Sequence, residues 1–160
     1  MPGRIDASLV EKRLAELKIE LPNASSPAAN YVPYVRTGNL LFMAGQVCIW
    51  NGERRFVGKL GREFTVEQGQ EAARICGLNL LAQAKAALGG DLDRIVRCVR
   101  LGGFVNSTDG FLDQPRVVNG ASDLMVDVLG DAGRHARTAI GTNVLPFDLA
   151  VEVDAVFEVK

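Results

Sequence analysis

One histidine, one tryptophan and three cysteines in 160 residues remove several chemistries at the outset. A zinc centre of histidine and thiolate needs ligands at close spacing, whereas Cys48, Cys76, Cys98 and His135 are scattered and no CxxC pair occurs. The signature of the zinc-dependent deaminases is missing for the same reason. An odd number of cysteines, each set in a largely apolar run, suits buried reduced thiols and a reducing cytoplasm better than a disulfide framework. No Ser-His-Asp or Cys-His relay stands out. No apolar run approaches the roughly 18 to 20 residues that cross a bilayer. The opening Met1-Pro2-Gly3-Arg4-Ile5-Asp6 has no apolar core of a secretion signal. Neither sign of charge dominates, at a net charge of -1 with 6% aromatic residues, so both the field and the stacking surface that attract nucleic acid are lacking. The glycine pair Gly102-Gly103 lacks the strand-glycine-helix setting of a nucleotide loop.

What the chain does have is 48% hydrophobic residues, enough for one core and one domain. Ser8-Leu9-Val10-Glu11 has the form of a capping box, opening a short helix with Val10, Leu14 and Leu17 on one side that should stop near Leu21-Pro22. Residues 1–29 therefore read as an amino-terminal helix and extended lead-in, and residues 30–160 as the domain proper. Tyr31–Arg36 and Leu40–Trp50 read as a hairpin about Gly38-Asn39. Asn51-Gly52 marks another turn, after which Glu53–Val57 returns as a short strand. Thr65-Val66-Glu67-Gln68 caps a helix that runs to Leu88 and ends at Gly89-Gly90, with Ala73, Cys76, Leu80 and Ala84 in one apolar line. A long strand follows within 92–105. A second helix starts between Phe111 and Pro115, with Val118, Ala121, Met125 and Val128 at helical spacing, and Gly130 closes it. Arg137–Asn143 and Leu149–Glu158 are expected as a closing hairpin.

The order β-β-α-β-α-β-β implies an α+β fold, a mixed sheet with both long helices on one face. In the last strand Val151, Val153, Ala155 and Phe157 point one way, and Glu152, Asp154, Val156 and Glu158 the other. Since neither row is wholly polar across the sheet, the face without helices is expected to be covered by copies of the same chain.

Pro33-Tyr34, Gly45-Gln46, Phe104-Val105, Asn119, Ala136-Arg137-Thr138, Leu145-Pro146 and Val151-Glu152-Val153-Asp154-Ala155, in this order and spacing, resemble the Rid (reactive intermediate deaminase, YjgF-like) family, in a divergent branch of the kind described as endoribonuclease L-PSP or chorismate mutase-like. The resemblance covers roughly residues 30–159. It implies a chorismate-mutase-like fold, a homotrimer with clefts between subunits, and hydrolysis of reactive 2-imino or enamine acids to 2-keto acids and ammonia without a cofactor or metal. It also implies roles: Arg137 binds the substrate carboxylate, Glu152 stands near the catalytic water, and Tyr34, Gly45 and Asn119 line the cleft. The chain differs from many deaminase-type relatives in having Ala44 before Gly45, Ala139 two residues after the arginine, and Gly141 at an acidic position.

The residue types suit these roles. A planar guanidinium makes two parallel charge-assisted bonds to a carboxylate, which a lysine cannot do. A sheltered glutamate can orient water and exchange protons. Each has a structural alternative: Arg137 and Glu152 as members of interface ion pairs, Tyr34 as a strand-end core residue with a wet hydroxyl, Asn119 as a backbone-bonding helix residue. His135, two residues before Arg137, has no partner visible in the sequence and reads as a structural or surface histidine. Cys76 and Cys98 read as core residues, and Arg94, Arg97 and Arg100 do not share one strand face. Two other functions remain open: a trimeric binding or sensor protein for a small carboxylate metabolite, and an endoribonuclease.

Overall fold

The computed structural model describes residues 8–26 and 29–160, so the start read for a secretion signal lies outside the described residues. Helix α1 (Leu9–Glu16) begins where the Ser8 side chain accepts from the Glu11 amide. It ends several residues before Leu21-Pro22 because Lys18 takes a left-handed conformation, φ 55°. The Ile19 amide then reaches the Leu14 carbonyl and the Lys18 amide reaches Ala15, the Schellman pattern that closes helices.

Strands β1 (Tyr34–Thr37) and β2 (Leu40–Val47) form the first hairpin. Here the long strand expected to reach Trp50 breaks. The chain leaves the main sheet at Cys48, and β3 (Ile49–Trp50) pairs only with β4 (Glu53–Arg54) in a separate ribbon. Its turn has positive φ at both Asn51 and Gly52, the conformation that asparagine-glycine favours between strands. Helix α2 (Val66–Ala87) starts in a complete Thr65/Gln68 capping box. Strand β5 (Ile95–Asn106), helix α3 (Gln114–Leu129), strand β6 (Ala136–Thr142) and strand β7 (Val151–Val159) complete the chain.

The sheet is mixed, with order β1-β2-β7-β5-β6. Both long helices cover one face: Leu80, Leu81, Val118, Leu124 and Met125 meet Leu101, Val105, Val151, Val153 and Phe157 in one fully buried core. The helices approach closely at Gly120, where a β-carbon would fall on the Gln70 carbonyl of α2. Cys48, Cys76 and Cys98 are buried free thiols.

The closing hairpin does not form. Strand β5 lies between β6 and β7, parallel to β6 and antiparallel to β7, because a strand, a long helix and a strand make the crossover that parallel pairing requires. The connection from β6 must then pass the end of β5 to reach β7, and Asn106 holds it there. Its buried side chain shares its two N–H donors among Asp148 Oδ1 at 2.9 Å, the Leu149 carbonyl and the Gly58 carbonyl, and accepts from Lys59 Nζ at 2.7 Å. No helix of the described residues is long and apolar enough to cross a membrane.

Candidate active site

Strand alternation fixes which way β6 looks. Arg137 is in register with buried Leu101, and Ala139 with Gly103, so Arg137, Ala139 and Gly141 face the helices while Thr138 and Ile140 face the open side. On α3, Asn119 and Ser122 are three residues apart and share one face, and that face meets Arg137. Arg137 Nη1 donates to Asn119 Oδ1 at 2.8 Å and to Ser122 Oγ at 3.2 Å. Ser122 Oγ lies 2.9 Å from His135 Nε2, and His135 Nδ1 lies 2.6 Å from the Gly133 carbonyl. A carbonyl only accepts, so the hydrogen-bond network assigns the proton to Nδ1 and leaves Nε2 to accept from the serine hydroxyl.

Arg137, Ser122 and His135 line a cavity of about 290 Å³ with Asp123, Val126 and Arg134. Arg137 is half-buried, yet among the described residues it has no ion pair, and its Nε and Nη2 have no hydrogen-bond partner.

Glu152 occupies a different place. It is in register with Val47 of β2 and Phe104 of β5, on the open face at the middle of the sheet. Opposite it, β2 bulges between Met43 and Gln46. A β-carbon on Gly45 would stand 2.9 Å from Glu152 Oε1, so the glycine leaves the carboxyl its space. Burial first, and the neighbouring Asp154 carboxylate second, push the Glu152 proton affinity above the usual glutamate value. Ala44 places a methyl group on β2, and Ala139 one on β6.

The five expected site residues thus fall in three places within one chain. Arg137 and Asn119 meet; Gly45 and Glu152 meet; Tyr34, in register with buried Met43, packs on the helix face at the far edge strand β1. Four strand spacings, about 19 Å, separate the β1 and β6 edges, and the sheet itself separates Arg137 from Glu152. Ser122 was not anticipated, although its three-residue spacing from Asn119 was readable. His135 has partners that the sequence did not reveal, because the short 3-10 turn over Gly130–Gly133 brings the histidine back against α3.

The chain matches the family model described as "YjgF/chorismate mutase-like, putative endoribonuclease" over residues 11–158. It is 49% identical to Protein TCP17 of Trypanosoma cruzi over 159 residues, 99% of this chain and 96% of that protein. Among solved structures it is similar to Atu1372 of Agrobacterium tumefaciens, a protein of unknown function, at 48% identity and a TM-score of 0.89, covering 94% of this chain and 92% of that one. A Shewanella oneidensis structure is 35% identical, with a TM-score of 0.90 over 94% of this chain and 99% of its own.

Proposed function

This chain belongs to the YjgF/chorismate mutase-like family, and from that membership and its arginine pocket we propose that it hydrolyses reactive 2-imino and enamine acids to 2-keto acids and ammonia. The observation that carries this reading is Arg137, a half-buried guanidinium in a cavity, steadied by two neutral oxygens and paired with no acid among the described residues. A carboxylate fits its forked donors.

With the carboxylate held, the chemistry asks little of the protein, since a protonated imine is already electrophilic. Water oxygen bonds to the imine carbon, and one water proton ends on nitrogen, giving a carbinolamine. That nitrogen is then an ammonium, which leaves as ammonia when the carbon–nitrogen bond breaks, while the hydroxyl proton passes to a base and a carbonyl forms. Glu152 is the group we assign to orient the water and carry these protons, its proton affinity being raised above that of a free glutamate. Holding both reactants in place supplies the rest of the acceleration.

Because the sheet stands between Arg137 and Glu152 in one chain, the reading requires them to come from two copies. The open face favours such an assembly: Val35, Phe42 and Ile140 remain 54%, 45% and 46% exposed there, and apolar patches of this kind mark contact surfaces. A homotrimer with clefts between subunits places the edge strand β6 of one copy against the open face of the next. A carboxylate-binding module without turnover would use Arg137 alike and leave Glu152 idle.

The test generates imino acids in place with an amino-acid oxidase and follows keto acid and ammonia. Wild-type protein should accelerate their release, and Arg137→Ala should lower kcat/KM about a hundredfold, the loss expected for two charge-assisted bonds worth ~3 kcal/mol together. Reversible keto-acid binding with no acceleration by the wild type would make the protein a binding module.

A further inference from the structure

We infer that Ser122 and His135 are positioning residues that lock Arg137 so that the substrate carboxylate is taken side-on by its Nε and Nη2. The inference rests on the reading of Arg137 as the carboxylate-binding group and specifies how that group is presented.

A guanidinium has five N–H donors, two of them on Nη1. Both Nη1 donors are committed, one to Asn119 Oδ1 at 2.8 Å and one to Ser122 Oγ at 3.2 Å. The end-on fork, which would use Nη1 and Nη2 together, is therefore taken. The edge formed by Nε and Nη2 keeps two parallel donors without partners among the described residues, the geometry a carboxylate accepts.

The sense of each bond makes the lock directional. The Gly133 carbonyl fixes the His135 proton on Nδ1 at 2.6 Å, which leaves Nε2 as an acceptor. Nε2 draws the Ser122 hydroxyl proton toward itself at 2.9 Å, turning the serine lone pairs to the arginine. A serine without the histidine is free to rotate its proton toward Arg137 and repel it. Thus the imidazole acts on the arginine through the hydroxyl. Asn119 alone gives Nη1 one anchor, about which the guanidinium plane can turn; the second anchor sets the plane. Orienting a group before its ligand binds removes an entropic cost from binding without altering the chemical step.

Calorimetric titration of pyruvate, a simple 2-keto acid, together with the imino-acid assay tests the inference. Ser122→Ala should weaken pyruvate binding and raise KM about tenfold, equivalent to ~1.4 kcal/mol, with kcat within about twofold and an unchanged melting temperature. Ser122→Thr, which keeps the hydroxyl, should stay within about twofold of wild type in both. His135→Phe should repeat the serine defect from outside the helix, and it decides the matter if Ser122→Ala does not fold. Wild-type affinity in both Ser122→Ala and His135→Phe overturns the lock while leaving Arg137 as the carboxylate group. Failure of wild-type protein to bind pyruvate at all removes the carboxylate reading, and the lock with it. A crystal structure of the pyruvate complex gives the geometry directly: both carboxylate oxygens on Nε and Nη2 are expected, and oxygens on Nη1 refute the assignment.

Discussion

A carboxyl half-buried on a sheet face beside a second acid binds its proton more tightly than it does in water, and Glu152 is such a group. Folding favours its protonated form, so its contribution to stability is fully present below the ordinary glutamate value of about 4.3 and is lost as pH rises through the higher folded value. Glu152→Gln removes the penalty of ionisation. The variant should therefore melt above wild type at pH 7 to 8, and the gap should close as the medium is acidified to about pH 4. Scanning calorimetry across that range checks the sign, and a variant less stable than wild type at neutral pH would show that the carboxylate is favourably paired instead. The row on which Glu152 sits was readable from alternation in β7. Its environment was not, because the bulge at Gly45 that makes room for it is a feature of pairing with β2. Nor was the contact of Ser122 with His135, thirteen residues apart and joined only through a helix end and a 3-10 turn.

At the scale of elements, local signals carried furthest where one segment decides its own structure. The Thr65/Gln68 box and the glycines after α2 define that helix from the sequence alone, and the two-residue period of β7 assigns its faces. Strand pairing is a property of segments far apart. A connection of eight residues between β6 and β7 looks like a hairpin loop, and only the crossover through α3, together with the Asn106 hydrogen bonds, reveals that β5 intervenes. Helix α1 depends on a distant residue in the same way. Eight residues cannot sustain a helix in water, and α1 buries only Leu14 completely. Its Leu9 and Val10 amides donate to the Asp93 carboxylate at 2.9 and 3.0 Å. Despite some burial, which opposes it, these amides and the Ser8 hydroxyl draw the Asp93 pKa below its usual range. Asp93→Ala removes both acceptors at a cost of about 1 kcal/mol. Hydrogen exchange should then quicken about fivefold across Leu9–Glu16 while the amides of β7 keep their protection; unchanged protection in α1 would mean that packing alone holds it.

For the whole molecule, the separation of Arg137 from Glu152 constrains how copies must meet. The edge strand β6 with α3 is one surface, and the open face around Glu152 is another. A contact between them is heterologous, and a heterologous contact either closes into a ring or continues as a filament. A homotrimer is the closed form proposed here, and light scattering should find three chains per particle. The division of labour can be tested separately from the count. Chains carrying Arg137→Ala lack the guanidinium but retain the acid, and chains carrying Glu152→Gln lack the acid but retain the guanidinium. Each variant alone should be strongly impaired, Arg137→Ala by about a hundredfold in kcat/KM. When the two are mixed in equal amounts, unfolded and refolded together, a cleft is intact whenever its arginine comes from the second chain and its acid from the first. Random assembly makes about one cleft in four intact, so activity should return to about a quarter of that of wild type refolded in parallel. If both groups of a cleft came from the same chain, every cleft in every mixture would lack one of them and no activity would return, because shuffling chains cannot reunite residues that never cross an interface.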